Sequence, residues 1–463
     1  MKIKNICCIG AGYVGGPTMA VIAKNCPEIQ VTVVDINPER IANWNDENLL
    51  KLPIYEPGLD KIIAQCRGKN LHFSTDIPNF IKSADLVFIS VNTPTKTSGI
   101  GAGQAIDLKY VEESSRIIAK YANGHTIVVE KSTLPVKTAQ TIKEILDAST
   151  MNNEEENKSF SVLSNPEFLA EGTAINDLVN PDRILIGGED TQAINALVEI
   201  YSNWVDKDKV FTTDLWSSEL SKLISNAFLA QRISSINTIS ALCESTGAKI
   251  NDVALAVGMD KRIGSSFLNS GPGFGGSCFK KDISNLVYIS NHYGLFEVAN
   301  YWQKVLDINS WQQKRFVELI VKNMFGTISS KKIAILGFAF KANTNDTRES
   351  PAIYICRKLL EEGAFLNIYD PKVSSAQISK DLNFSNNQML NHNWSFSNSL
   401  DDAFRNVDAA LILTEWNEFQ SLEWRNLSKL MRKPAWVFDT RSIVNIKEAQ
   451  QYGMKVWQVG YGN

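Results

Sequence analysis

The residue best suited to act as a nucleophile in this chain is Cys278. It follows Gly271-Pro272-Gly273-Phe274-Gly275-Gly276-Ser277 and precedes Phe279-Lys280-Lys281-Asp282. A glycine-rich bend running into a polar helical segment puts the cysteine at a helix N-terminus, where the helix dipole favours the thiolate. Cys278 and Asp282 are then i and i+4 and share a face. Lys222 and Asn226 have the same spacing on another helical run, and their apolar surroundings argue against an ordinary solvated surface. A third polar segment, Ser164-Asn165-Pro166-Glu167-Phe168-Leu169-Ala170-Glu171-Gly172, brings two carboxylates. Cys7, Cys8 and Cys356 lack such a context and read as small apolar fillers.

A different chemistry is written near the start. Gly10-Ala11-Gly12-Tyr13-Val14-Gly15 follows an apolar run and opens a helical one. The first glycine allows a tight turn, the second lets backbone approach a pyrophosphate, and the third permits close helix-strand packing. The helix N-terminus then favours phosphate charge. Asp35 ends the second strand, 20 residues beyond Gly15, where a carboxylate can bond both hydroxyls of an adenine ribose. It would repel a 2'-phosphate, so NAD is expected over NADP, although Arg40 nearby is a group that could receive that phosphate. Val91-Asn92-Thr93-Pro94-Thr95 and Glu130-Lys131-Ser132-Thr133 follow two further strands and point to the same edge. Pro94, Ser132 and Thr133 fit plain turn and cap roles equally well.

The elements that must position these residues alternate. Ile6-Cys7-Cys8-Ile9, Val31-Thr32-Val33-Val34, Leu86-Val87-Phe88-Ile89, Thr126-Ile127-Val128-Val129 and Ile184-Leu185-Ile186 read as buried parallel strands separated by helices. From Leu215 the strand signal stops. Leu220, Leu223, Ile224, Ala227 and Phe228, then Ile233, Ile236 and Ile239, predict one long helix whose apolar positions cover more than one face. From Lys331 strands return at 333–337, 367–370, 409–413 and 436–439, with a helix over 353–362. The fold expected is α/β, with two Rossmann-like doubly wound parallel-sheet domains joined by a long central helix and helical domain. The boundaries expected are 1–213, 214–326 and 327–463. The acidic stretch from Met151 to Lys158 reads as a solvated loop.

Composition narrows the classes. At 463 residues, 44% apolar and 21% charged, the chain is globular and large enough for two or three domains. A net charge of -3 provides no global field for nucleic acid or an acidic membrane. No apolar run would span a bilayer, and the first residues enter a strand directly, so a cytoplasmic protein is expected. Seven cysteines show no repeated ligand pair and four histidines none at ligand spacing, so neither a disulfide framework nor a metal is expected.

The Gly-Phe-Gly-Gly-Ser-Cys-Phe stretch, with Glu171-Gly172-Thr173-Ala174, Phe228-Leu229-Ala230-Gln231-Arg232, Gly258-Met259-Asp260-Lys261-Arg262-Ile263-Gly264 and Gly337-Phe338-Ala339-Phe340-Lys341, resembles the UDP-glucose/GDP-mannose dehydrogenase family over nearly the whole chain. The resemblance is to the UDP-glucose 6-dehydrogenases of the eukaryotic type. It implies a four-electron, NAD-dependent oxidation of UDP-glucose to UDP-glucuronate through a thioester on Cys278. A thiolate that traps the intermediate aldehyde creates a thiohemiacetal with a second hydride to give.

By the same resemblance, Lys222 and Asn226 polarise the substrate oxygen, Asp282 and Thr133 handle a water, and Glu167 assists thioester hydrolysis. Glu171 and Arg348 join the cofactor contacts, and Glu167, Phe168, Leu169, Ala170 and Glu171 those of the substrate. Phe267, Leu268, Asn269 and Ser270, continuing through Gly271, Pro272, Gly273, Phe274 and Gly275, resemble a loop over the sugar nucleotide. Phe340 and Lys341 resemble a diphosphate contact, Arg441 a second anchor, and Arg262 a residue that reaches a neighbouring subunit. A homo-oligomer is therefore implied, a dimer or a hexamer built from dimers. Competing readings are a family member acting on UDP-N-acetylmannosamine or GDP-mannose, a two-electron hydroxyacid dehydrogenase that needs no Cys278, and a non-enzymatic UDP-sugar-binding regulator.

Overall fold

In the computed structural model, which describes residues 2–150, 158–383 and 393–462, successive side chains of the first strand enter different cores. Ile6 and Cys8 pack on one face of a sheet, Cys7 and Ile9 on the other. This alternation in an unbroken apolar run is what a strand covered on both faces requires. Residues 151–157, most of the stretch read as an acidic loop, lie outside the described residues. The chain divides into two compact units, residues 1–225 and 226–463.

The first unit is built on β1 (Asn5–Ile9), β2 (Gln30–Val34), β3 (Leu71–Ser74), β4 (Leu86–Ile89), β5 (His125–Glu130), β6 (Ser159–Ser164), β7 (Ile184–Gly188) and β8 (Val210–Thr213). Their order is β3-β2-β1-β4-β5-β6-β7-β8. The first six follow the doubly wound order, with the strand sequence reversing between β1 and β4. One expectation is corrected. Ile184-Leu185-Ile186 does lie in a buried strand, but β7 pairs antiparallel with β6 and parallel only with β8. The link from β6 to β7 contains a single six-residue helix, Ala174–Val179. An antiparallel neighbour needs no crossover of the sheet.

The second unit begins within the helix Leu215–Thr246 and continues through helices Ile250–Gly258, Phe279–His292 and Phe296–Asn323. Leu223, Ala227, Ala230, Ile236 and Cys243 are buried along the long helix, whereas Phe228 and Leu242 are exposed. A second sheet follows: β9 (Lys332–Leu336), β10 (Phe365–Tyr369), β11 (Trp394–Phe396), β12 (Ala409–Ile412), β13 (Ala435–Asp439) and β14 (Met454–Gln458). Its order is β11-β10-β9-β12-β13-β14, parallel throughout, the same winding as the first six strands of the other sheet.

Where β9 ends, Gly337 turns the chain with φ +92°, and a Cβ there would lie 2.3 Å from Thr414 Cβ. Asp370, just past β10, accepts the N–H groups of Phe338 (2.7 Å) and Ala339 (3.0 Å) and closes the turn. Gly337→Ala must therefore strain the backbone and displace Thr414. A loss on the order of 1–3 kcal/mol is expected, read as a lower urea midpoint for tryptophan fluorescence; an unchanged midpoint would mean the turn yields freely.

Candidate active site

The carboxyl edge of the first sheet has the shape a dinucleotide needs. Gly10 has φ +109°, and a Cβ there would meet Ser90 O at 2.3 Å; one on Gly15 would meet Gly10 O at 2.0 Å. Only glycine fits either position. Gly12 differs: a Cβ there would have no neighbour within 4 Å, so its backbone is bare towards the edge. The helix Gly15–Asn25 starts directly after, with Val14 as its N-cap and Tyr13 packed on the core. Open backbone at a helix N-terminus fits a pyrophosphate.

Asp35 lies beside this turn, buried. Its Oδ2 accepts the Ala11 N–H at 2.9 Å, its Oδ1 the Asn37 N–H at 2.9 Å, and the Arg40 guanidinium stands 3.0 Å from Oδ2. Arg40 is thus turned onto the Asp35 carboxylate. Val91-Asn92-Thr93-Pro94-Thr95 continues the same edge: Ser132 donates to Val91 O (2.8 Å), Pro94 O accepts the Asp107 N–H (2.8 Å), and Thr95 bridges to Ile106. Ser132 and Pro94 therefore do shape turns here. Thr133 is buried next to Ser132.

Past β6 the chain delivers Glu167 into the interior. Its Oε1 lies 3.3 Å from Lys222 Nζ, both side chains being at most 5% exposed, and its Oε2 accepts the Leu169 N–H at 3.0 Å. The Phe168 ring is approached by two cations, Arg183 at 3.9 Å and Lys222 at 5.4 Å. Ala170 N–H donates to Asp177, and Glu171 is half-buried beyond it. Three residues with no foreseen role fix this segment. Lys131 Nζ donates to Asn165 Oδ1 (3.0 Å) and to Tyr201 OH (3.2 Å), and Tyr201 donates to Asn165 Oδ1 (2.6 Å). Burial pushes the Lys131 amine down to about 8, against the pull of Glu167. Glu56 is the other unforeseen group, accepting the N–H groups of Gly172 (2.7 Å) and Ala174 (3.2 Å).

In the second unit Cys278 is the N-cap of the helix Phe279–His292, half-buried, with Ser277 Oγ 3.5 Å from its sulfur. Asp282 lies one turn on and is fully buried. Its Oδ2 accepts the Asn226 amide at 2.6 Å, and Lys281 Nζ is 3.9 Å from Oδ1. Asn226 and Asp282, 56 positions apart, are thus joined directly, and Asn226 is one turn past Lys222 on its helix.

The loop before Cys278 is held by buried amides that sequence reading passed over. Asn237 Oδ1 accepts the Gly271 N–H (2.8 Å), and Gln312 donates to Gly271 O (2.9 Å). Asn309 bonds both the N–H (2.8 Å) and the C=O (3.1 Å) of Phe274, and a Cβ on Gly273 would strike Asn309 Oδ1 at 2.5 Å. Their only signal was a polar residue repeated within apolar helical runs. Leu268, Ser270, Pro272 and Gly275 are buried, while Phe267 and Asn269 are exposed. The loop runs against the second sheet: Gly276 lies on the Phe340 ring and Gly271 beside Arg441. Arg441 donates to Leu413 O (2.8 Å) and Phe340 O (3.2 Å), and Lys341 Nζ is 5.6 Å from the Phe340 ring centre. Arg348 is bound to Asp346 in its own loop, and Arg262 is exposed and paired with Asp260.

Three domain descriptions of one family match this chain in order: the NAD binding domain over residues 4–205, the central domain over 216–311 and the UDP binding domain over 334–446. The chain belongs to the UDP-glucose/GDP-mannose dehydrogenase family. It is 54% identical over 476 residues to UDP-glucose 6-dehydrogenase 4 of Arabidopsis thaliana, covering 98% of this chain and 96% of the relative. It is 55% identical over 463 residues to UDP-glucose 6-dehydrogenase of Drosophila melanogaster, with the same coverage. Among solved structures, a UDP-glucose dehydrogenase from the hyperthermophilic archaeon Pyrobaculum islandicum is similar at TM-score 0.85 and 28% identity, covering 100% of this chain and 98% of that one.

Membership in this family makes NAD the cofactor of the first unit. No helix among the described residues is long and apolar enough to cross a membrane. The geometry around Asp35 generates a test. Asp35→Ser removes the carboxylate that accepts from Ala11 and frees Arg40, so the KM for NAD should rise about tenfold while activity with NADP increases relative to NAD. Initial-rate kinetics with both cofactors check this; unchanged discrimination would show that Asp35 does not face the ribose.

Proposed function

We propose that this family member is a UDP-glucose 6-dehydrogenase that converts UDP-glucose to UDP-glucuronate through a covalent thioester on Cys278. The observation that carries the reading is Cys278 at the start of the helix Phe279–His292, with the buried Asp282 one turn on and tied to Asn226. The 54–55% identity to UDP-glucose 6-dehydrogenases over almost the full chain supports glucose as the sugar.

Gly10, Gly12, Gly15 and Asp35 would hold NAD, with Val91–Thr95, Ser132 and Thr133 along its edge. When bound, NAD accepts a hydride from C6 of the sugar at each of two oxidations. Lys222 and Asn226, one helical turn apart, orient the C6 oxygen and stabilise its negative charge. Asp282, buried and held by Asn226, takes the hydroxyl proton through a water, and C6 becomes an aldehyde. The Cys278 thiolate adds to the aldehyde carbon, forming a C–S bond and an alkoxide that Lys222 and Asn226 stabilise. Loss of the second hydride leaves the thioester. Glu167 and Thr133 then direct a water at the acyl carbon, the C–S bond breaks, and the products are the carboxylate and the Cys278 thiolate.

The segment Glu167–Glu171 and the loop Phe267–Gly275 would contact the sugar nucleotide, Phe340 and Lys341 its diphosphate, and Arg441 would be its second anchor. Arg348 would contact the cofactor. The working division of the chain is a cofactor domain (1–213), a central helical domain (214–326) and a sugar-nucleotide domain (327–463). A cytoplasmic homo-oligomer, a dimer or dimers assembled into a hexamer, completes the reading, with exposed Arg262 reaching a neighbouring copy.

The direct assay counts NADH formed per UDP-glucose consumed, and two are expected. One would point to an ordinary alcohol dehydrogenase, and no NADH with any nucleotide sugar to a binding protein. Cys278→Ala should lose more than about 10³-fold in four-electron turnover while still binding NAD and UDP-glucose. Full turnover by that variant would end the thioester mechanism. Gel filtration should give a mass at least twice that of one chain; a monomer contradicts the Arg262 role.

A further inference from the structure

We infer that Glu130 and Glu219 share a single proton and, as a hydrogen-bonded acid pair, hold the strand end leading into Ser132 and Thr133 against the helix carrying Lys222, which makes both positioning residues for the reaction. The positioning role rests on the reaction proposed above. Neither side chain has a part in that mechanism.

Glu130 is the last residue of β5 and Glu219 lies one turn before Lys222; each is only 2% exposed. The two carboxyls contact each other as hydrogen-bond partners. Both oxygens of Glu219 are also engaged by backbone: Oε2 accepts the Lys137 N–H (2.6 Å) and Oε1 the Ala139 N–H (2.7 Å). These bonds satisfy donors at the start of the helix Thr138–Thr150. Glu130 Oε2, in contrast, meets no donor among the described residues.

Two ionised carboxylates offer each other only acceptors, and burial forces their charges together. A carboxyl donates only when protonated. Glu219, with two backbone donors, is stabilised as the anion, whereas Glu130 Oε2 meets none, which assigns the proton to Glu130 and the charge to Glu219. Burial raises both groups, and the Glu219 charge raises Glu130 further.

The charged side chains on the surrounding elements are engaged elsewhere in part or whole. Lys131 bonds Asn165 and Tyr201, Lys143 pairs with Glu189, and Lys222 pairs with Glu167. Lys137 Nζ lies 5.4 Å from the Trp216 ring, and Asp214 accepts the Ser217 N–H. The pair therefore joins three segments at one point: the end of β5, the start of the helix Thr138–Thr150 and the turn before Lys222. Losing its proton would set two buried anions against each other there.

The test uses the full chain, Glu130→Gln, whose amide donates permanently to Glu219, and Glu219→Ala, which removes the acceptor for Lys137 and Ala139. Melting temperature, and kcat and KM with UDP-glucose and NAD, are followed from about pH 6 to about pH 10. A carboxyl whose folded pKa is raised stabilises the fold only while protonated, and this contribution disappears as pH rises through the folded value. The melting temperature and kcat of the native sequence should therefore fall together on the alkaline side. Glu130→Gln should move both limbs up by about one pH unit or more. Glu219→Ala should lower kcat about tenfold with KM for NAD within about threefold, since no cofactor contact is removed.

Identical alkaline melting behaviour of the native chain and Glu130→Gln would overturn the shared proton. An undiminished kcat in Glu219→Ala would overturn the positioning role. Should the alanine variant not fold, Glu219→Gln, which keeps one acceptor oxygen where Glu219 has two, replaces it, with a smaller loss of kcat expected and none contradicting the role. If the native chain oxidises no UDP-glucose, the assigned reaction fails, and the melting curves still decide the pair.

Discussion

The pairing of Lys222 with Glu167 inside the first unit is the interaction on which the polar cluster after β6 depends. Two fully buried charges cost several kcal/mol each to desolvate, and their attraction seldom returns more than that cost. Well-packed apolar residues of the same volume are often as stable as a buried ion pair. The ion pair is better understood through what it does: it fixes an ammonium on a helix against a carboxylate on the segment after β6. Neighbouring polar groups of the first unit hold the same segment. Lys131, Asn165 and Tyr201 immobilise the start of the Glu167 segment, and the Glu167 side chain itself accepts the Leu169 N–H. Asn226, one turn past Lys222, then bonds Asp282 on the helix that Cys278 caps.

The two sheets use one device for different ends. In each, a glycine with positive φ turns the chain at the end of the first strand, and an aspartate after the second strand accepts backbone N–H groups of that turn. Gly10 and Asp35 do this in the first sheet, Gly337 and Asp370 in the second. Asp35 accepts one N–H of its turn and is approached by Arg40, a half-exposed cation. Asp370 accepts two N–H groups of its turn and the Trp416 indole as well, so it acts as an internal tie. The same architecture thus leaves one turn aspartate paired with a surface cation and the other enclosed as an internal tie.

Much of this was legible in the sequence because it depends on local rules. Glycine spacing identified the dinucleotide turn, apolar runs located the buried strands, and i,i+4 spacing paired Lys222 with Asn226 and Cys278 with Asp282. Strand direction was not legible: Ile184-Leu185-Ile186 has the same composition whether β7 runs with β6 or against it. Edge strands such as β3, Leu71-His72-Phe73-Ser74, alternate apolar with polar residues and carry a weaker signal. Long-range polar ties were the other gap. Glu56, Lys131, Asn237, Asn309 and Glu219 find partners far along the chain, and nothing in a neighbouring residue marks a buried polar group as satisfied rather than exposed.

In the proposed chemistry the sugar's C6 passes through a bond to Cys278 and leaves it by hydrolysis that Glu167 assists. Intact-mass measurement on Glu167→Gln mixed with UDP-glucose and excess NAD tests this directly. An acyl adduct on Cys278 is expected, heavier than the free chain by the UDP-sugar acyl group and released by hydroxylamine. An unmodified chain, recovered while NADH is still produced at two per sugar, would contradict the thioester.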